Sequence, residues 1–257
     1  MSRFSSLEFG GEGEQSQTGQ QGLRDEAHFL AEAQRAFERA EFEQGLRLYA
    51  RALEDNPRST AAWVGQVRML IELEEYREAK AWAEKALEQF PTCPDLLAAK
   101  AVALGRLGEL DPALAFSDSA IEERGSTAYV WLARADVLLA RGEKRAEYCL
   151  DKATSTAPGD WFIAWLAARV RLFYRQFAQA LALLQRAVSL DAGRFVVWAD
   201  LGRCEVAMGL FEGARRSFRQ AVELEPHCQA AHRGLVELQH PPLGRRIAGL
   251  WRRLRGA

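Results

Sequence analysis

The sequence predicts an all-α chain, about six helix-turn-helix units stacked in line as an α-solenoid, and a search for internal periods shows why. Small residues recur at Gly45, Ala79, Ala113, Ala146, Ala180 and Ala214, and again at Ala52, Ala86, Ala120, Ala153, Ala187 and Ala221. Both series have spacings of 34, 34, 33, 34 and 34. Large apolar residues lead most units (Phe29, Trp63, Leu97, Trp131, Trp198), and Pro57, Pro91, Pro158 and Pro226 close four of them, with Gly125 and Ala192 in the other two closing places. Inside a unit the apolar residues follow helical spacing and do not alternate. In the last, Trp198, Leu201 and Met208, then Phe211, Ala214, Phe218 and Ala221, form two helical faces broken near Gly209.

Each part of the unit has a physical reason. Alanine at the two periodic places lets one helix approach its partner more closely than leucine would allow. The closing proline lacks an N–H and its ring clashes with the preceding turn, so the second helix stops there. The single shortened spacing falls in the fourth unit. The step from Trp131 to Ala146 is one residue shorter than the steps from Trp63 to Ala79 and from Trp198 to Ala214, so one residue is missing from that unit's turn.

Trp198, Leu201, Gly202, Ala214, Phe218, Ala221 and Pro226 closely resemble the tetratricopeptide repeat (TPR) pattern: W-x2-L-G-x2-Y, then A-x3-F-x2-A, then P, reproduced almost completely. The resemblance implies a right-handed α-solenoid of helix pairs whose inner surface holds a peptide or a neighbouring protein. It sets expected boundaries of 26–59, 60–93, 94–127, 128–160, 161–194 and 195–228, with a capping helix at 229–239, inside a solenoid of 25–240. The third unit departs from the pattern, lacking both Trp and Pro. The fifth admits two registers. Counting from Ala180 makes Ala164 the leading residue and turns Trp165 toward the groove. Placing Trp165 in the core costs a register slip and puts Arg169 where a small residue belongs.

The two ends read differently. Residues 1–24 are rich in Gly, Ser, Gln and Glu and are expected to form a disordered tail, in which Phe4, Leu7 and Phe9 are the apolar exceptions. Residues 241–257 are expected to form a basic amphipathic helix. Leu243, Ile247, Leu250, Trp251 and Leu254 share one face, and Arg245, Arg246, Arg252, Arg253 and Arg255 crowd the rest. Such a helix would cap the last repeat, or lie at a partner or an anionic membrane surface through Ile247, Leu250, Trp251, Arg252 and Arg253.

Composition narrows the function class. With 27% charged and 48% hydrophobic residues, the chain has the make-up of an ordinary soluble protein. No stretch approaches the roughly 18 apolar residues of a membrane span, and the start lacks a signal peptide's apolar run. A cytoplasmic location is expected, with peripheral membrane contact as the alternative. Cys93, Cys149, Cys204 and Cys228 form no C-x-x-C pair and are expected to be reduced. The net charge of −1 hides an asymmetry: residues 1–127 carry 23 acidic against 14 basic side chains, residues 128–257 carry 12 against 20. Such a dipole favours head-to-tail self-contact, so a homo-oligomer is compatible with it. No H-E-x-x-H, G-x-S-x-G or phosphate loop occurs. No catalytic residue, metal, cofactor, small-molecule substrate or nucleic-acid partner is therefore expected.

The family resemblance places the inner wall on the first helix of each pair. The rows that would line it include Arg68, Tyr129, Asp136, Phe162, Trp165, Arg169 and Arg203, a mixture of aromatic residues and arginine suited to being covered. Where related proteins carry a Lys/Asn clamp for chaperone tails, this chain has Leu30, Gln34, Gly65, Asp95 and Ala99, so that clamp is missing. The expectation is a non-enzymatic scaffold or adaptor that binds a peptide segment or partner protein in the groove. The alternative is a membrane-docked assembly adaptor that uses the C-terminal helix.

Overall fold

A computed structural model describes residues 19–123 and 127–239, with side chains from Glu26 onward. The described residues form thirteen helices and no strand. They divide into two compact units, Met1–Pro158 and Gly159–Ala257.

Unit 1 contains α1 (Gly19–Glu38), α2 (Phe42–Asp55), α3 (Thr60–Glu72), α4 (Tyr76–Gln89), α5 (Pro94–Leu107), α6 (Leu110–Glu122), α7 (Ala128–Ala140) and α8 (Ala146–Thr156). Consecutive helices pair, and the first helices of successive pairs also touch: α1 with α3, α3 with α5, and α5 with α7. Unit 2 contains α9 (Trp161–Phe173), α10 (Phe177–Leu190), α11 (Phe195–Met208), α12 (Phe211–Leu224) and α13 (Gln229–Gln239). Here α13 packs on both α11 and α12. The architecture is the predicted succession of helix pairs. Helix α1 begins at Gly19, inside the segment read as a tail. Gln20, Gln21, Leu23 and Arg24 are all competent helix formers, and the composition argument averaged over them. Phe4, Leu7 and Phe9, and the C-terminal residues Ile247, Leu250, Trp251, Arg252 and Arg253, lie outside the described residues.

The periodic alanines are interior. Ala79, Ala86, Ala113, Ala180, Ala187, Ala214 and Ala221 have no solvent exposure at all. At another repeat position, large and small residues interlock between one pair and the next. The Tyr49 ring fills a notch that a Cβ on Gly65 would close at 2.3 Å, and the Phe218 ring does the same at Gly234, at 2.4 Å. Between these extremes Ala83 in α4 and Ser117 in α6 occupy the place of Tyr49 and are likewise buried.

Polar ends are tied down locally. Ser59, Thr127 and Asp160 accept hydrogen bonds from the first-turn N–H groups of α3, α7 and α9, each cap contributing about 1 kcal/mol. The leading aromatic residue reaches back six places. Trp63 Nε1 donates to the Pro57 carbonyl at 2.9 Å and Trp198 Nε1 to the Ala192 carbonyl at 2.8 Å. His232 Nε2 lies 2.8 Å from the Pro226 carbonyl, so it makes the same tie from the leading place of α13.

Every turn inside a pair has one residue with left-handed backbone: Ala40, Glu74, Gly108, Gly142, Arg175 and Gly209, with φ between 56° and 83°. Arg175 is eleven places after Ala164, as Glu74 is after Trp63, which sets the fifth repeat's register on Ala164. The residue missing from the fourth repeat falls between Gly142 and Ala146. Helix α8 starts at its periodic alanine, whereas α4, α6, α10 and α12 start three places before theirs, and α8 is the shortest second helix at 11 residues.

Candidate functional site

On the first helices of unit 1, Arg68 projects from α3 between two rings. Its guanidinium carbon lies 4.7 Å from the centre of Phe37 on α1 and 4.1 Å from the centre of Tyr129 on α7. Tyr129 reaches that far because α5 presents small residues beneath it: Ala98 and Val102 belong to the cluster on which the ring packs. Burial pushes the Tyr129 hydroxyl well above the ordinary tyrosine range, and burial raises Tyr49 in the same way, with the Arg68 charge opposing both shifts. Both phenols therefore stay protonated.

Asp136 on α7 points inward. Arg106 on α5 donates to it twice, Nε to Oδ1 at 2.9 Å and Nη2 to Oδ2, and the two side chains are only 9% and 3% exposed. A bidentate pair of this kind satisfies both partners, and Asp136 is thereby occupied within the fold. It is not part of an open wall.

In unit 2 the centre is Asp200 on α11, a residue the sequence reading passed over. It occupies the place that Gly65 and Gly234 hold in their repeats, which is why it is buried. Trp165 Nε1 donates to Asp200 Oδ2 at 2.9 Å, Arg169 Nη1 to the same oxygen at 3.3 Å, and Arg203 Nη1 to Oδ1 at 3.1 Å. Trp165 is completely buried, with Arg169 over its ring at 5.1 Å and the Phe162 ring centre 5.6 Å away. Phe162 is buried as well. The expectation that Phe162 and Trp165 line an open wall is therefore corrected: the Asp200 carboxylate draws the indole inward. The only sequence signal of this arrangement was an aspartate inside the apolar run Phe195–Gly202.

Of the seven residues expected in the wall, the structure leaves Arg68, Tyr129 and Arg169 partly exposed and Arg203 exposed, its side chain 64% accessible. Arg68 and Tyr129 meet in unit 1, and Arg169 and Arg203 in unit 2. Among the described residues no group of three or more His, Cys, Asp or Glu side chains could hold a metal ion. No helix among them is long and apolar enough to cross a membrane. Cys204 is buried, donates to the Phe177 carbonyl at 3.2 Å, and has its thiol pushed up to about 11 by desolvation, which keeps it protonated and unreactive.

Helix pairs that recur at the period of the alanines, with those alanines buried at fixed places and a left-handed residue in the turn inside each pair, define a helical-hairpin repeat protein. The chain belongs to the tetratricopeptide repeat family, whose models match residues 12–153 and 174–238. Two solved structures are similar to it. One is a tetratricopeptide repeat protein from Parabacteroides merdae, with 17% identity, covering 83% of this chain and 84% of that one, at a TM-score of 0.54. The other is a thermophilic tetratricopeptide repeat protein of Thermus thermophilus, with 21% identity, covering 70% and 99%, at a TM-score of 0.55. At these identities the likeness is one of fold. No match to a curated protein was found.

Proposed function

We propose that the chain is a protein-interaction scaffold, and that the first-helix face of unit 2 holds an acidic polypeptide segment. The observation that carries this reading is Arg203, which is anchored at one end by the buried Asp200 carboxylate. Arg203 spends an Nη1 donor there and keeps its remaining N–H groups at the surface. Arginine in such a setting is a strong source of binding energy when a partner's carboxylate completes it. Val206, one turn further along α11, is partly exposed and offers an apolar contact beside the charge. Unit 2 as a whole has 15 basic against 8 acidic residues, which favours encounter with an acidic partner.

Fluorescence anisotropy with labelled acidic and basic dodecapeptides tests the reading. The acidic peptide is expected to bind with an affinity that falls as salt rises, because surface charges are screened. Arg203→Glu is expected to abolish that binding with helical circular dichroism unchanged, since Arg169 still pairs with Asp200. Undiminished binding by Arg203→Glu sinks the assignment.

A further inference from the structure

Among the described side chains, the first helices of unit 1 hold a cation that is fixed in place without an ion-pair partner. On the same unit, Arg106 is paired with Asp136, Arg134 with Asp118, and Arg141 with Asp111 and Glu143. Arg68 differs. Its contacts are the faces of Phe37 and Tyr129, and among the described residues no carboxylate, carbonyl or hydroxyl accepts from its N–H groups. A guanidinium held against ring faces keeps its N–H edge available. An edge of parallel N–H donors matches the two oxygens of a carboxylate. The side chain is partly buried, so a charge brought to that edge is less screened than on an open surface.

The surroundings narrow the ligand further. The Tyr129 and Tyr49 hydroxyls lie within the field of Arg68, and their raised pKa values keep them as donors. Asp95, Glu72 and Asp136 act on Tyr129 in the opposite sense to Arg68, and Asp136 is itself paired with Arg106. Carboxylates this near oppose an incoming dianion more strongly than a monoanion.

We infer that Arg68 anchors a single carboxylate, the side chain of an Asp or Glu residue in a bound polypeptide segment. The inference rests on the scaffold reading but places this contact in unit 1, independent of Arg203.

The test follows the arginine Nε–Hε resonances of the full chain by ¹⁵N correlation spectra, with Arg68 assigned as the signal absent from Arg68→Lys. The probes are acetyl-Ala-Glu-Ala-amide, its Gln analogue and inorganic phosphate. The Glu peptide is expected to shift the Arg68 signal saturably, the Gln peptide to leave it in place, and phosphate to act more weakly than the Glu peptide. Backbone amide shifts read the binding in variants. Arg68→Gln is expected to lose it, Arg68→Lys to weaken it about tenfold or more through loss of the planar fork, and Arg203→Glu to leave it intact. No shift with the Glu peptide, equal shifts with Gln, phosphate binding as tight as Glu, or retained binding in Arg68→Gln each overturns the inference. Loss of the dodecapeptide in Arg203→Glu with no response at Arg68 would leave the scaffold reading standing and remove only this site.

Discussion

The turns inside the helix pairs of unit 1 carry Glu41, Glu74, Glu75, Glu109 and Glu143, several of them held by arginine or lysine, as in Arg39–Glu41, Lys80–Glu109 and Arg141–Glu143. The equivalent turns of unit 2 end in Phe173, Met208, Leu210 and Phe211, all exposed. Charge follows the same division, with 27 acidic and 19 basic residues in residues 1–158 against 8 and 15 in residues 159–257. Yet Ala113 in unit 1 and Ala180 in unit 2 are equally and wholly buried. The repeat thus keeps its packing positions constant and leaves its surface free to diverge. One scaffold presents an ion-paired acidic rim in one unit and an apolar rim in the other.

The largest expected effect tests the shared packing. Ala113→Trp and Ala180→Trp should each cost about 3 kcal/mol or more, because neither site has room and an overpacked core must move its backbone. Urea titration followed by circular dichroism measures both. A large loss at one site and none at the other would break the claim that the two units pack alike.

A second pair sharpens the difference between their polar centres. Asp136→Ala removes the carboxylate that compensates the deeply buried Arg106 charge and should cost about 3–5 kcal/mol. Asp200→Ala leaves two guanidiniums that reach solvent and one buried indole N–H, and should cost about 1–3 kcal/mol. Midpoints from the same titrations decide the order, and a reversed order would mean that Asp200 is the more important structural centre.

The smallest effect is a gain. Lys100 pairs with Glu84 and Arg134 with Asp118, each sixteen places back, but the residue sixteen before Gln66 is the buried Ala50. Gln66 is itself fully buried with neither amide atom bonded. In unit 2 the same repeat place holds Leu201, also buried. Gln66→Leu should therefore stabilise unit 1 by about 1–2 kcal/mol, since an unsatisfied buried amide costs that much or more. A lower melting temperature in that variant would show that the amide serves a purpose that Leu201 does not.

Much of this was legible in the sequence because helix packing repeats at a fixed period. Alanines that return at one constant spacing announce a buried seam, and the missing residue of the fourth repeat could be placed by counting alone. The polar centres were not legible in that way. Trp165 turns inward for Asp200, an acceptor on the first helix of the following pair. Arg68 is clamped by Phe37 from the pair before its own and by Tyr129 from two pairs beyond. A side chain satisfied by a single distant partner leaves no period behind. Asp136, Phe162 and Trp165 looked like wall residues because their helix positions are wall positions. Burial came instead from what the neighbouring helix supplied, Arg106 in one case and Asp200 in the other.

The left-handed turn residues have a consequence of their own. Gly108, Gly142 and Gly209 adopt that conformation freely, but Ala40, Glu74 and Arg175 do so against a steric bias of about 1–2 kcal/mol each. The geometry of these corners is therefore dictated by the docking of the helices on either side and not by the amino acid at the bend. Ala40, Glu74 and Arg175 thus mark three corners whose shape is kept by the packing around them.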